Sequence, residues 1–229
     1  MKNIKIKSKT IIYALSIGVL LFFMGTIKVD AQIGQFGIRF MPTFSKFDIK
    51  TSTGGTVKGE ANFGLGFGAF LGYSFSEYIG IQGEVIYSAH SQKYTEFSIE
   101  REVKLRYVNI PLLLTLNTGK SKAVNFNVVA GPQIGISVGS SLLTSGDNGT
   151  GDQGVLSVKT GDLGFAFGAG LDFGLNPANN IRLGLGYRGI VGLIDISDNN
   201  STLNTNSFFI LDKSSVRSDA AYIGISFIF

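Results

Sequence analysis

The chain has no cysteine and no tryptophan, and only one histidine and four prolines among its 229 residues. Without cysteine, disulfides and thiolate metal sites are excluded. A single histidine leaves almost no donor set for zinc. Charged residues make up only 16% of the chain, against roughly 25% in ordinary soluble proteins. After Ile27 no apolar run approaches the ~20 residues that a membrane-crossing helix needs. The abundant residues are glycine (31), phenylalanine (19) and tyrosine (8). So many aromatics argue against low-complexity disorder.

The first residues carry Lys2, Lys5, Lys7 and Lys9, then an apolar run from Ile11 to Ile27, then Val29-Asp30-Ala31. This is the layout of a cleavable secretory signal peptide over residues 1–31, cut after Ala31. A retained signal anchor is the rival reading. The remainder, 32–229, is expected to form one domain. The net charge of +4 belongs to the leader, since the rest holds 15 bases and 15 acids. The basic pI is therefore no sign of nucleic-acid binding.

Residues 62–75 read NFGLGFGAFLGYSF. Phe63, Leu65, Phe67, Leu71, Tyr73 and Phe75 alternate with Gly64, Gly66, Gly68, Gly72 and Ser74. A period of two is a strand. A greasy face opposite a glycine face suits a narrow barrel, with lipid outside and room inside for side chains from the other wall. Eight such segments are predicted, over 34–44, 62–75, 78–90, 99–116, 124–139, 162–175, 180–196 and 217–229. Each is longer than the ~9–11 residues that a tilted strand needs to cross a bilayer. In the fourth segment Val103, Leu105 and Tyr107 are odd, whereas Val108, Ile110, Leu112, Leu114 and Leu116 are even. A bulge near 107–109, or Pro111, is expected to reset the phase there.

Short connections (76–77, 118–122, 177–179) alternate with long polar ones (45–61, 91–98, 140–161, 197–216). That asymmetry predicts an eight-stranded antiparallel up-and-down transmembrane β-barrel of the outer membrane. The even strand count puts both termini on the periplasmic side and the long loops outside. Tyr73, Phe75, Tyr78, Phe227 and Phe229 are candidates for a periplasmic aromatic girdle. A secreted soluble barrel with an apolar interior is disfavoured, because no face carries enough charge to meet water.

The segments GIRFMPTFS (37–45), GIQGEVIYS (80–88), LRYVNIPLLL (105–114), VVAGPQIGI (128–136), FGAGLDFGL (167–175) and RLGLGYRGIVGLIDI (182–196) resemble the PorT-like, or outer membrane protein beta-barrel domain, family of Bacteroidetes-type bacteria. The resemblance implies a small eight-stranded barrel and says little about activity. The founding member is linked to protein secretion, which implies a secretion-system partner. The terminal pattern Ile223, Ile225, Phe227, Phe229 resembles the signal read by the outer-membrane insertion machinery.

By parity, Arg39, Glu84, Glu100, Glu102, Lys104, Arg106, Asp162, Asp172, Arg182 and Arg188 are predicted to point into the lumen. Five bases and five acids in a narrow tube imply an ion-pair network that plugs it, since unpaired buried charge is costly. A charged channel for small solutes is the competing reading, although eight strands leave an interior that side chains fill. The sequence Gly184-Leu185-Gly186-Tyr187-Arg188-Gly189 matches G-x-G-x-x-G, but strand alternation runs through it, whereas a dinucleotide site needs a strand-to-helix turn. His90, beside Ser91, is read as a solvated rim residue; as a catalytic base it would make the chain a lipid-modifying enzyme. Asp147, Asn148 and Asp152 lie in a loop whose spacing does not fit an EF-hand. Phe208 to Leu211 either extend a strand or form an exposed contact patch. No cofactor and no metal are expected. The expected partners are outer-membrane lipid, the insertion machinery, and a surface or secretion protein, with no nucleic acid. The expected role is structural or interactive, not enzymatic.

Overall fold

The structure is a computed structural model and describes residues 33–46, 48–50, 56–58, 62–96, 99–146, 153–199, 207–211 and 214–229. Residues 1–31, expected to be a signal peptide, and Asp147, Asn148 and Asp152 lie outside the described residues. In chain order the strands are β1 (Ile33–Lys46), β2 (Asp48–Lys50), β3 (Thr56–Lys58), β4 (Asn62–Ser74), β5 (Ile79–Glu96), β6 (Ile99–Asn117), β7 (Val124–Ser145), β8 (Gln153–Val155), β9 (Gly161–Gly174), β10 (Ile181–Gly192), β11 (Ser207–Phe209) and β12 (Arg217–Ile228). Eight of them close a barrel in the order β1-β4-β5-β6-β7-β9-β10-β12, every neighbouring pair antiparallel. The short strands lie in the long connections: β2 pairs antiparallel with β3, and β8 pairs parallel with β11. The up-and-down barrel expected from the two-residue period is the observed fold.

Alternation decides which side chains face which way. On β4, Phe63, Leu65, Phe67, Leu71 and Tyr73 are exposed on the outer wall, while Gly64, Gly66 and Phe70 face inward. The small inward residues make room for large ones opposite. A Cβ at Gly37 would strike the ring of Phe70, and one at Gly170 or Gly186 would strike Tyr222. The outer wall is apolar nearly all round, with exposed Phe, Leu, Ile and Val on every barrel strand. Such a continuous apolar belt is the signature of a lipid-facing surface. Tyr73, Tyr78, Phe227 and Phe229 are exposed at the short-turn end. Phe229 closes the seam there, its backbone exchanging hydrogen bonds of 2.8 and 2.9 Å with Gly34.

Two walls are taller than the sequence suggests: β5 runs to Glu96 and β7 to Ser145, while β6, between them, spans Ile99–Asn117 as expected to within one residue. β10, by contrast, stops at Gly192. Beyond it the chain turns over the barrel mouth, because Asp195 Oδ1 accepts hydrogen bonds from the Ser197 amide (2.9 Å) and hydroxyl (2.7 Å) and so fixes a tight bend. Ile196 is thereby buried rather than placed in the wall.

The phase reset expected in β6 does not occur. β6 pairs with β5 in one unbroken register from Glu96↔Ile99 to Ile79↔Leu116. Its odd residues therefore point inward throughout, and its even residues outward. Val103, Leu105 and Tyr107 are buried inside. Glu100, Glu102, Lys104 and Arg106 stand on the outer face, not in the lumen. The apolar and polar faces trade places because the surroundings change. Lower down the outside meets an apolar belt, whereas higher up the outside is charged and the inside is a hydrophobic core. The irregularity in register falls opposite Arg106/Tyr107 and adds a residue to β7, around Val138.

Candidate functional site

The lumen is enclosed by the barrel wall, and it is filled in layers. At the short-turn end, Arg182 is buried and donates to four backbone carbonyls: Lys120 (3.0 Å), Asn179 (3.2 Å), Lys122 (2.8 Å) and Asp172 (3.0 Å). It ties two short turns to the wall. The Asp172 carboxylate accepts from the amides of Asn125 (3.2 Å) and Asn127 (2.8 Å). Lys120, in the turn after β6, reaches inward and donates to Gln35 at 2.8 Å. Burial pushes its amine down to about 8, Asp172 opposing that shift and Arg182 and Arg39 reinforcing it. On the same turn, hydrogen bonds from the amide and hydroxyl of Ser121 hold the Glu77 carboxyl below its ordinary value.

The middle layer is a charged brace. Glu84 on β5 accepts from Arg39 on β1 (2.6 Å) and from both terminal nitrogens of Arg188 on β10 (2.9 and 3.1 Å), with Gln82 at 2.5 Å. β5 and β10 stand four strands apart in the ring of eight, so Glu84–Arg188 spans the diameter. The Glu84 and Arg188 side chains are wholly enclosed. Arg39 is sandwiched between the rings of Phe70 (4.1 Å) and Tyr222 (4.6 Å). Cation–π contact of this kind holds the guanidinium where water does not.

Above the brace lies a small polar chamber. Ser45 Oγ and His90 Nδ1 are 2.5 Å apart, Asn109 donates to Ser88 at 2.6 Å, and Gln133 donates to Asn109 at 3.3 Å. A cavity of about 20 Å³ remains among them. A second void, of about 10 Å³, lies beside Lys120 and Asp172. Each has room for about one water and no more. The top layer is apolar. Val103, Leu105, Tyr107, Ile196, Ile210, Leu211 and Val216 form one buried cluster, with Leu142, Leu156, Val158 and Phe208 packed on it. The long connections thus fold down as a plug over the mouth.

Of the predicted lumen residues, Arg39, Glu84 and Arg188 come together. Arg182, Asp172 and Asp162 point inward at other levels, with Asp162 at the long-loop end of β9. Glu100, Glu102, Lys104 and Arg106 are outside, as the unbroken phase of β6 requires. Glu102 there bonds Lys104 (3.3 Å) and Ser91 (2.6 Å), and Glu100 bonds Lys93 (2.8 Å). His90 is not a solvated rim residue: it is 4% exposed and faces the chamber. Its partner is Ser45 rather than Ser91. Parity carried one residue past Phe44 would have placed Ser45 inside. Gly184 to Gly189 lie within β10, as alternation requires. Ile210 and Leu211 are buried in the plug, so they are neither a wall extension nor an exposed patch. Ile223, Ile225 and Phe227 line the outer face of β12, with Phe229 beyond its end.

The family model described as outer membrane protein beta-barrel domain matches residues 15–211. A search of curated proteins finds no match. Among solved structures, the outer membrane protein OprG from Pseudomonas aeruginosa is 18% identical with a TM-score of 0.56, covering 86% of this chain and 97% of that one. The outer membrane protein AlkL, determined in lipid bilayers, is 14% identical with a TM-score of 0.51, covering 89% and 93%. At these identities the likeness is one of fold. The chain belongs to the outer membrane protein beta-barrel domain family, as an eight-stranded transmembrane barrel of the outer membrane.

Proposed function

We propose that this barrel is a sealed, non-catalytic outer-membrane protein that works through its exposed surfaces. Its short turns and termini face the periplasm and its long loops face outward. The observation that carries this reading is the filled lumen. The Glu84–Arg188 brace crosses the diameter, the plug covers the mouth, and among the described residues two lumen voids hold only about 20 and 10 Å³. No solute passes such an interior without dismantling it. Purified barrel in planar bilayers is expected to show background conductance; discrete current steps would refute the reading.

The 2.5 Å Ser45–His90 bond is the one observation that favours a hydrolase. The pair is enclosed and faces inward, where neither an acyl chain nor a headgroup fits. It serves instead to satisfy two polar groups in a dry interior. Cells carrying His90→Ala are expected to keep an unchanged lipid A and phospholipid profile by mass spectrometry. An altered profile would make the barrel an enzyme. A contact between the periplasmic rim and a secretion assembly is the second interaction surface compatible with this role; its readout is co-purification from mild detergent.

A further inference from the structure

At the long-loop end the barrel wall is incomplete on one side. β7 continues to Ser145, while its neighbour β9 begins at Gly161, which pairs with Ile136. The Ser137 amide still donates to Thr160 (2.8 Å), but the chain before β9 then leaves the wall and crosses the mouth. Lys159 bonds Ile196, Val158 bridges Ser197, and Val155 pairs with Phe209. Among the described residues, 139–145 therefore pair on one side only, with β6, from Arg106↔Gly139 to Glu100↔Ser145, and Val138 is the bulged residue below them. About half of the backbone N–H and C=O groups of this stretch point away from β6, where no described strand pairs with them.

Free edges are normally blunted with charge, proline or a bulge. This one has a bulge at its lower end, at Val138, and above it reads GSSLLTS, without charge or proline. Val138 and Leu143 are each 51% exposed on it. The stretch is also held in place from behind. Leu142, on the inner side, packs on the plug, and a Cβ at Gly154 would stand 3.6 Å from it. The edge is thus preorganised rather than frayed.

We propose that the β7 edge at 138–145 docks an extended segment of another polypeptide as an added strand. This rests on the outward orientation proposed above. The occupant follows from the chemistry of the edge: a row of amide donors and acceptors at strand spacing is matched by an extended backbone. The stretch is roughly 26 Å long at the rise of a strand, enough for about eight residues. An uncharged edge with Leu143 exposed accepts small polar and apolar side chains rather than an acidic or basic tail. A second copy in the same membrane does not fit. Barrel strands lean roughly 35–45° from the membrane normal, so two copies related by an axis along that normal would cross these edges at roughly 70–90°.

The probe is a fluorescent octapeptide of alternating threonine and valine, added to the full barrel in lipid nanodiscs. Saturable binding is expected, with slowed amide exchange confined to 139–145. Binding should weaken at least tenfold in Ser141→Lys/Leu143→Lys, which retains heat-modifiable gel migration. The same peptide with alternate backbone amides N-methylated should not bind. No binding, or equal binding of the N-methylated peptide or to the lysine variant, overturns the proposal, because either would show mere adsorption. Orientation is read separately. The chain has no cysteine, so Ser141→Cys gives a unique label for a membrane-impermeant maleimide. Labelling on intact cells supports access from outside. Labelling only after lysis overturns the orientation, and with it a partner outside the cell, whatever the peptide does.

Discussion

The lower and upper halves of β6 follow one backbone phase and carry opposite chemistry. From Val108 to Leu116 the even residues are apolar and face outward, while the odd residues Asn109 and Thr115 face polar lumen groups and Leu113 packs on Val129 and Ala166. From Glu100 to Arg106 the even residues are charged and face outward, while Val103, Leu105 and Tyr107 fill an apolar core. Nothing in the strand turns over between them. What differs is the medium beyond the wall: hydrocarbon below, water above. A membrane barrel is inside-out where lipid surrounds it and becomes an ordinary protein where it emerges. On this wall the outward chemistry changes between Arg106 and Val108.

The sharpest way to break the lower half is to unbalance its brace. Glu84→Ala leaves Arg39 and Arg188 in an enclosed lumen without their shared carboxylate. Removing one partner of a buried pair costs about 3–5 kcal/mol. The unfolding midpoint in urea with lipid vesicles should fall accordingly. Glu84→Leu with Arg188→Met should recover much of it, because well-packed apolar groups replace buried ions at little cost. The matching break in the upper half is Leu105→Ala. Leu105 is wholly buried in the plug, and such truncations cost about 2–5 kcal/mol. The loss should be local, with amide exchange accelerating at 153–160 and 207–211 while the membrane-level strands stay protected.

On the outer face of the same strand, Leu112 stands 58% exposed in the lipid belt. Leu112→Arg is expected to destabilise by about 2–4 kcal/mol, the range for arginine near the bilayer midplane. Vesicle-based unfolding checks it. A cost near zero would mean that this wall meets water.

The lumen's lower end offers a titration. The Lys120 amine sits at about 8 in the fold against an ordinary 10.5. Between those values the folded chain holds fewer protons than the unfolded one, so this group makes stability rise with pH from about 8 to 10.5. Relative to Lys120→Met, the native protein should gain roughly 2 kcal/mol over that window. A difference that stays flat with pH would place the amine in contact with bulk water.

The barrel was legible because its wall obeys one rule eight times, and glycine opposite Phe70 or Tyr222 left its mark in residue size alone. The level of the membrane was not legible in β6, since a swap of faces reads equally well as a slip of phase. The brace was half legible: Arg39, Glu84 and Arg188 were visible by parity, but their meeting depends on which strands stand opposite each other in the closed ring. The plug was not legible at all. Phe208 pairs with Gly154 although two barrel strands, β9 and β10, lie between them in the chain, and no local period encodes that. Ser45 was missed because the first strand is longer than its apolar pattern.

The smallest expected effect is also the most discriminating for β6. Lys104 lies on the same outer face as Leu112, eight residues further up. If the strand had slipped phase, Lys104 would be a lumen charge, and Lys104→Leu would disturb a buried network by several kcal/mol. In the observed register it is a water-facing residue whose contact with Glu102 spans 3.3 Å at the surface. Exposed pairs of this kind contribute about 0–1 kcal/mol, so the substitution should move stability by no more than about 0.5 kcal/mol. A lysine-to-leucine change that is nearly silent at 104, beside a leucine-to-arginine change that is costly at 112, would locate the water boundary between them without any slip in the strand.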